Sequence, residues 1–181
     1  MDNIAVYCGA RMGKNENIPK QAEAFGKALG ESKRTLVYGA GGTGIMGVIG
    51  RACRDNGGKI YAVIPDFLRD FEEPMSGADD LFIVNTMHTR KQMMFEKADA
   101  FVIFPGGLGT LDEVFELLTW KVLGQHEKPI IFVNIDGFWD KLLIHIDHIV
   151  NVDFTGKNTY DLFDVVKNQS DVLELLENKG N

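Results

Sequence analysis

Residues 100–113 read Ala100-Phe101-Val102-Ile103-Phe104-Pro105-Gly106-Gly107-Leu108-Gly109-Thr110-Leu111-Asp112-Glu113. The stretch has three parts. Ala100–Phe104 is a short, continuous apolar run, the mark of a strand buried on both faces of a parallel sheet. Phe104 and Pro105 end the run and three glycines turn the chain. A helical pattern over 110–123 follows, with Leu111, Val114, Phe115, Leu118 and Val122 spaced to share one face.

The same order of strand, turn and helix recurs outward in both directions. Further apolar runs lie at Ile4–Cys8, Thr35–Tyr38, Ile60–Ile64, Leu81–Val84 and Ile130–Val133, with a weaker one at Leu162–Val166. Helical segments fall between them at 18–32, 44–56, 86–97 and 136–150. A last helix spans 170–178, with Ser170 or Asp171 as its N-cap. This alternation predicts an α/β fold: a Rossmann-like, doubly wound, mainly parallel sheet of about seven strands with helices on both faces. No repeat, low-complexity tract or long linker divides the chain, so 1–181 reads as one domain. The least regular stretch is 65–80, a loop with room for a short helical turn.

The composition narrows the function. With 181 residues and 45% hydrophobic content the chain has material for a core and is not disordered as a whole. Lys and Arg number 19 against 26 Asp and Glu, a net charge of −7. That balance argues against a general nucleic-acid binder, whose affinity comes from cations on phosphates. Two cysteines, Cys8 and Cys53, make neither a disulfide framework nor a four-Cys zinc site. No apolar run approaches the roughly 18 residues of a membrane span, and Met1-Asp2-Asn3 lacks the basic start of a secretion signal. The expected location is the cytoplasm.

Ligands of open α/β sheets bind beyond the carboxyl ends of the strands. Two glycine loops stand there. Gly39-Ala40-Gly41-Gly42-Thr43-Gly44 satisfies G-x-G-x-x-G, and Asp66 follows at roughly the spacing of a ribose-binding acid. It follows the second strand, however, whereas a dinucleotide fingerprint uses the first. It reads equally as a packing turn. Pro105–Thr110 follows the fifth strand, and its three glycines open backbone amides to an anion at a helix N-terminus. No Lys follows, so it is not a loop for nucleoside triphosphate hydrolysis. Thr110-Leu111-Asp112-Glu113 also reads as a capping box, with Glu113 closing the helix end. Arg90 and Lys91 lie in the preceding helix. They are either a solvated pair or a basic pair facing the glycines from a neighbouring strand.

The segment Met87-His88-Thr89-Arg90-Lys91…Met94 followed by Pro105-Gly106-Gly107-Leu108-Gly109-Thr110-Leu111-Asp112-Glu113 resembles the LOG (Lonely Guy) family. Its members are cytokinin riboside 5′-monophosphate phosphoribohydrolases, long labelled lysine decarboxylases. The resemblance runs nearly end to end, through Cys8-Gly9, Tyr38–Gly47, Val63-Ile64-Pro65, Leu118-Thr119-Trp120 and Leu123-Gly124. It implies Arg90 and Glu113 as the catalytic pair. It implies substrate binding by Glu72, Met87, Lys91, Gly106, Gly107, Leu108, Gly109, Thr110 and Thr119. It further implies a nucleoside 5′-monophosphate substrate, hydrolysis without metal or organic cofactor, and a homodimer with the site near the interface. Two stretches depart from the family pattern: Thr89 replaces a common Glu, and Ala10-Arg11-Met12 replaces a serine-rich turn. A non-catalytic nucleotide-binding or carrier protein of the same fold is the alternative.

Overall fold

The computed structural model describes residues 1–70 and 74–179. Its strands are β1 (Asn3–Tyr7), β2 (Thr35–Tyr38), β3 (Lys59–Pro65), β4 (Asp80–Val84), β5 (Ala100–Ile103), β6 (Ile130–Val133) and β7 (Asp164–Val166). They form one seven-stranded sheet in the order β4-β3-β2-β1-β5-β6-β7. Every neighbouring pair is parallel. The helices are α1 (Asn17–Glu31), α2 (Gly44–Asp55), α3 (Met87–Lys97), α4 (Leu108–Val122), α5 (Asp140–Asn151) and α6 (Gln169–Asn178). No helix among the described residues is long and apolar enough to cross a membrane.

The strand order explains the layers. From β1 to β4 the chain moves one way across the sheet, and from β5 to β7 it moves the other way. Right-handed crossovers then place helices on opposite faces for the two directions. Side chains alternate across each strand to meet them. Ile4, Val6 and Cys8 pack with α1, α2 and α6. Ala5 and Tyr7 pack with α3 and α4 on the other face. The reversal lies between β1 and β5, and a crevice opens above it.

The connection from β4 to β5 corrects one expectation. The strand preceding α3 is not a neighbour of β5 but the edge of the sheet, with β3, β2 and β1 between them. Helix α3 therefore crosses back over the sheet, and Arg90 reaches the crevice from above the end of β2 rather than from beside it. Three element ends also differ from the sequence reading. Helix α5 begins at Asp140 rather than 136, because Asp136 adopts φ 49° inside a short 3-10 turn at Ile135–Gly137. There its carboxylate accepts from the side-chain amides of Asn15 and Asn17. The cap of α6 is Asn168, which accepts from the amides of Ser170 and Asp171. Helix α4 begins two residues before Thr110, at Leu108, with Gly107 as its N-cap.

Candidate active site

Helix α4 starts at the mouth of the crevice without a side-chain cap. The amides of Leu108, Gly109 and Thr110 belong to its first turn, and such amides have no partner inside their own helix. The glycines before and within this turn differ in role. A Cβ on Gly106 would run into the side chain of Thr110, so that glycine serves packing. Around Gly107 and Gly109 a Cβ would meet no protein atom. Those positions leave clear space in front of a helix N-terminus, where the macrodipole favours an anion.

The capping-box reading of Glu113 fails with the new helix start. Glu113 lies nearly two turns into α4 and points into the fold, 7% exposed. Its partner is Arg90, with Nη2 at 3.5 Å from Oε1 and both side chains 8% exposed. Arg90 sits one turn into α3, after Thr86 caps that helix by accepting from the amide of Thr89. The guanidinium lies directly over Gly39, just after β2, and Arg90 Nε is buried with no hydrogen-bond partner among the described residues. Burial raises the Glu113 carboxyl from its ordinary 4.5 to about 7. Arg90 and Lys91 pull it down, while Asp112 and Glu116 push it up.

A cavity of about 660 Å³ joins these parts, a size typical of small-molecule sites. It is lined by Arg90, Glu113, Met87, Gly106, Gly107, Gly109 and Thr110 among the sequence-predicted residues. Three others stand elsewhere. Lys91 turns away from the cavity to Asp112 and Glu116, at 3.1 and 3.2 Å. The Leu108 side chain is exposed on the outer face of α4. Thr119, exposed two turns beyond Glu113, donates its hydroxyl to the carbonyl of Phe115 at 2.7 Å. Glu72 lies outside the described residues.

The structure adds residues that the sequence reading did not place in the site. Tyr7 ends β1 in the cavity wall and stacks on Phe101 with 5.9 Å between ring centroids. Burial, and after it the Glu113 charge, hold its phenol well above the ordinary range, so it stays protonated. Phe67 and Phe138 also line the cavity. They follow β3 and β6, so the rule that ligand residues follow strands, applied to every strand, would have found them.

The first glycine loop is packing, not a dinucleotide seat. The amides of Ile45 and Met46, in the first turn of α2, donate to the carbonyl of Gly9 at 3.1 and 3.3 Å. Gly44 has φ 59°, and a Cβ there would strike the backbone of Ala10. That helix end is thus filled by the chain itself. Asp66 points to solvent and pairs with Arg69 at 3.0 Å. Among the described residues no three His, Cys, Asp or Glu side chains gather where they could hold a metal ion.

Known proteins align with this architecture. A family profile described as "Possible lysine decarboxylase" matches residues 46–176. A cytokinin riboside 5′-monophosphate phosphoribohydrolase of Rhodococcoides fascians is 41% identical over 81% of this chain and 74% of its own. Cytokinin riboside 5′-monophosphate phosphoribohydrolase LOG2 of Arabidopsis thaliana is 37% identical over 96% of this chain and 82% of its own. Among solved structures, a molybdenum cofactor binding protein from Rippkaea orientalis superposes with a TM-score of 0.75 at 17% identity, covering 99% of this chain and 97% of that one. The molybdenum cofactor carrier protein of Chlamydomonas reinhardtii gives 0.73 at 18% identity, covering 98% of each. At such identities these two share the fold and nothing finer. The profile and the relatives, which agree over most of the sequence, lead to one assignment: the chain belongs to the LOG family of cytokinin riboside 5′-monophosphate phosphoribohydrolases.

Proposed function

We propose that the protein hydrolyses the N-glycosidic bond of purine nucleoside 5′-monophosphates, cytokinin-type or AMP, to free base and ribose 5-phosphate. The observation that carries this reading is the buried Arg90–Glu113 pair in a cavity that also contains an uncapped helix N-terminus. The 5′-phosphate sits against the first turn of α4, where Gly107 and Gly109 leave it room. The seat fixes the ribose, and positioning of that kind supplies several kcal/mol of the barrier. Met12, Phe67, Met87 and Phe138 offer apolar surface to the base and its substituents.

The reaction consumes one water. Its oxygen bonds to the anomeric carbon, and the C–N bond breaks with its electron pair going to the base, which takes up a proton. The transition state carries positive charge on the ribose, as in glycoside hydrolysis. Glu113, as carboxylate, steadies that charge and accepts the proton from water. Arg90 favours the ionised form of Glu113 against the cost of burial and holds the sugar phosphate.

The reading extends to a homodimer of chains acting as one unit over 1–181, in the cytoplasm. Leu108, Phe115, Val122 and Leu123 present an exposed apolar stripe along α4 that suits a second copy. The test is a panel of nucleoside monophosphates and their dephosphorylated nucleosides, with released base measured. AMP or its N6-substituted forms should be cleaved, and adenosine slower by about a hundredfold or more. Binding and release of intact nucleotide without turnover would overturn this in favour of a carrier.

A further inference from the structure

Arg90 and Lys91 are adjacent on α3 but face different ways, since one residue turns a helix by about 100°. Arg90 lies over Gly39 and Glu113 inside the cavity. The Lys91 ammonium lies outside it, 10% exposed, 3.1 Å from Asp112 and 3.2 Å from Glu116. Those two acids flank Glu113 on α4. The two helices are therefore joined twice, once inside the cavity by Arg90–Glu113 and once behind it by Lys91. The inner pair is long at 3.5 Å, and the outer contacts are both shorter.

We propose that Lys91 is a positioning residue for the hydrolysis: it straps α3 to α4 through Asp112 and Glu116, and cancels the negative charge on either side of Glu113. The proposal rests on the hydrolase reading for its kinetic consequence only. The charges that act on the Glu113 carboxyl come from two elements, Arg90 and Lys91 from α3 and Asp112 and Glu116 from α4; the protonated Tyr7 phenol of β1, itself raised by the Glu113 charge, adds no charge to the set. Arg11 joins them at the cavity mouth. Removing the Lys91 charge deletes one stabiliser of the carboxylate and exposes it to two opposing carboxylates. Both effects make Glu113 hold its proton to higher pH.

The experiment uses the full chain as wild type, Lys91→Met, Lys91→Arg, Asp112→Asn/Glu116→Gln, and the triple variant combining Lys91→Met with that pair. Two quantities are followed against pH: adenine release from AMP, and the Glu113 carboxyl titration by carboxyl-carbon NMR on the unliganded protein. Lys91→Met should lower kcat at neutral pH about fivefold, leave KM within about twofold, and move both the rising limb and the titration up by about one pH unit. Lys91→Arg keeps the charge and should restore both. The triple variant, with the flanking acids gone, should return the titration close to its wild-type position. Asp112→Asn/Glu116→Gln alone should lower it, and this variant decides the matter if Lys91→Met does not fold. A raised KM with an unmoved limb would overturn the proposal and make Lys91 a phosphate ligand. Unmoved kinetics and titration would overturn it outright. Should the wild type release no base from any monophosphate, the hydrolase reading falls, yet the titration still upholds or overturns the strap.

Discussion

The guanidinium of Arg90 occupies the volume into which any side chain at position 39 would project: a Cβ on Gly39 would meet Nη2 and Cζ of Arg90. Gly39 follows β2 and Arg90 comes from α3, so this fit exists only because α3 crosses back over the sheet. The glycine is needed for the arginine's place rather than for its own backbone conformation. Gly39→Ala should therefore fold, with Arg90 swung aside, and lose about a hundredfold in kcat/KM, close to 3 kcal/mol of transition-state stabilisation. Residues in contact are not additive. Gly39→Ala/Arg90→Ala should accordingly be no slower than Arg90→Ala alone. Full activity in Gly39→Ala would mean that the guanidinium is not needed where it lies.

Glu113 should impose opposite pH dependences on activity and stability. In the proposed mechanism the carboxylate is the working form, so kcat/KM should rise with pH through about 7. Its folded pKa lies above the ordinary 4.5, so the native state holds the proton more tightly than the unfolded chain does. Stability then falls as pH rises from about 4.5 to about 7 and is level above that. Glu113→Gln lacks the ionisable group. It should match the wild type near pH 4 and exceed it by about 3 kcal/mol near pH 8, with activity abolished. Denaturant melts at both pH values measure the difference. A difference that does not change with pH would remove burial as the cause of the raised pKa.

The parts of this molecule that sequence revealed are those fixed locally. The inner strands are covered on both faces and leave unbroken apolar runs, while the partly exposed edge strands β4 and β7 keep enough apolar residues to be visible too, the short Asp164–Val166 inside its broader predicted run. What failed depends on distant residues. Asp136 takes φ 49° while binding Asn15 and Asn17, which delays the start of α5, and nothing near position 136 announces those partners. The Thr110–Glu113 spacing suggested a capping box, but a glycine caps the helix and frees Glu113 for the cavity. Periodicity says which residues share a helix face, not what that face meets. Hence the Arg90–Glu113 pair rested on resemblance, and the outward turn of Lys91 required the crossing path of α3.

The glycines of the proposed phosphate seat should divide under substitution. Gly109 is helical and nothing crowds it, so Gly109→Ala should stabilise the fold by about 0.4–1 kcal/mol through the unfolded state. The added methyl projects into space assigned to the ligand, so KM for AMP should rise, by about tenfold, with kcat less affected. Gly106→Ala collides with Thr110 and should instead lower the melting temperature. Thermal melts with and without inorganic phosphate, beside steady-state kinetics, separate the two. An unchanged KM in Gly109→Ala would place the phosphate elsewhere.

Helix α4 carries the candidate site on one side and an apolar stripe on the other. Leu108, Phe115 and Val122 recur at intervals of two helical turns, so they line one face, and Leu123 extends it. Leu108 is 86% exposed and Leu123 65%, values that cost solubility unless something covers them. Thr119 lies between Phe115 and Val122 on this outer side, where its own chain's cavity is out of reach. Its role in nucleotide binding, implied by resemblance, therefore requires a second copy to bring it to a site. Light scattering on the wild type should give twice the chain mass. Val122→Glu/Leu123→Glu removes no buried contact, so it should keep the wild-type circular dichroism while halving that mass. It should also raise KM, as Thr119→Ala should in the intact dimer. A wild type that runs as a monomer would leave the stripe unexplained and remove Thr119 from the site.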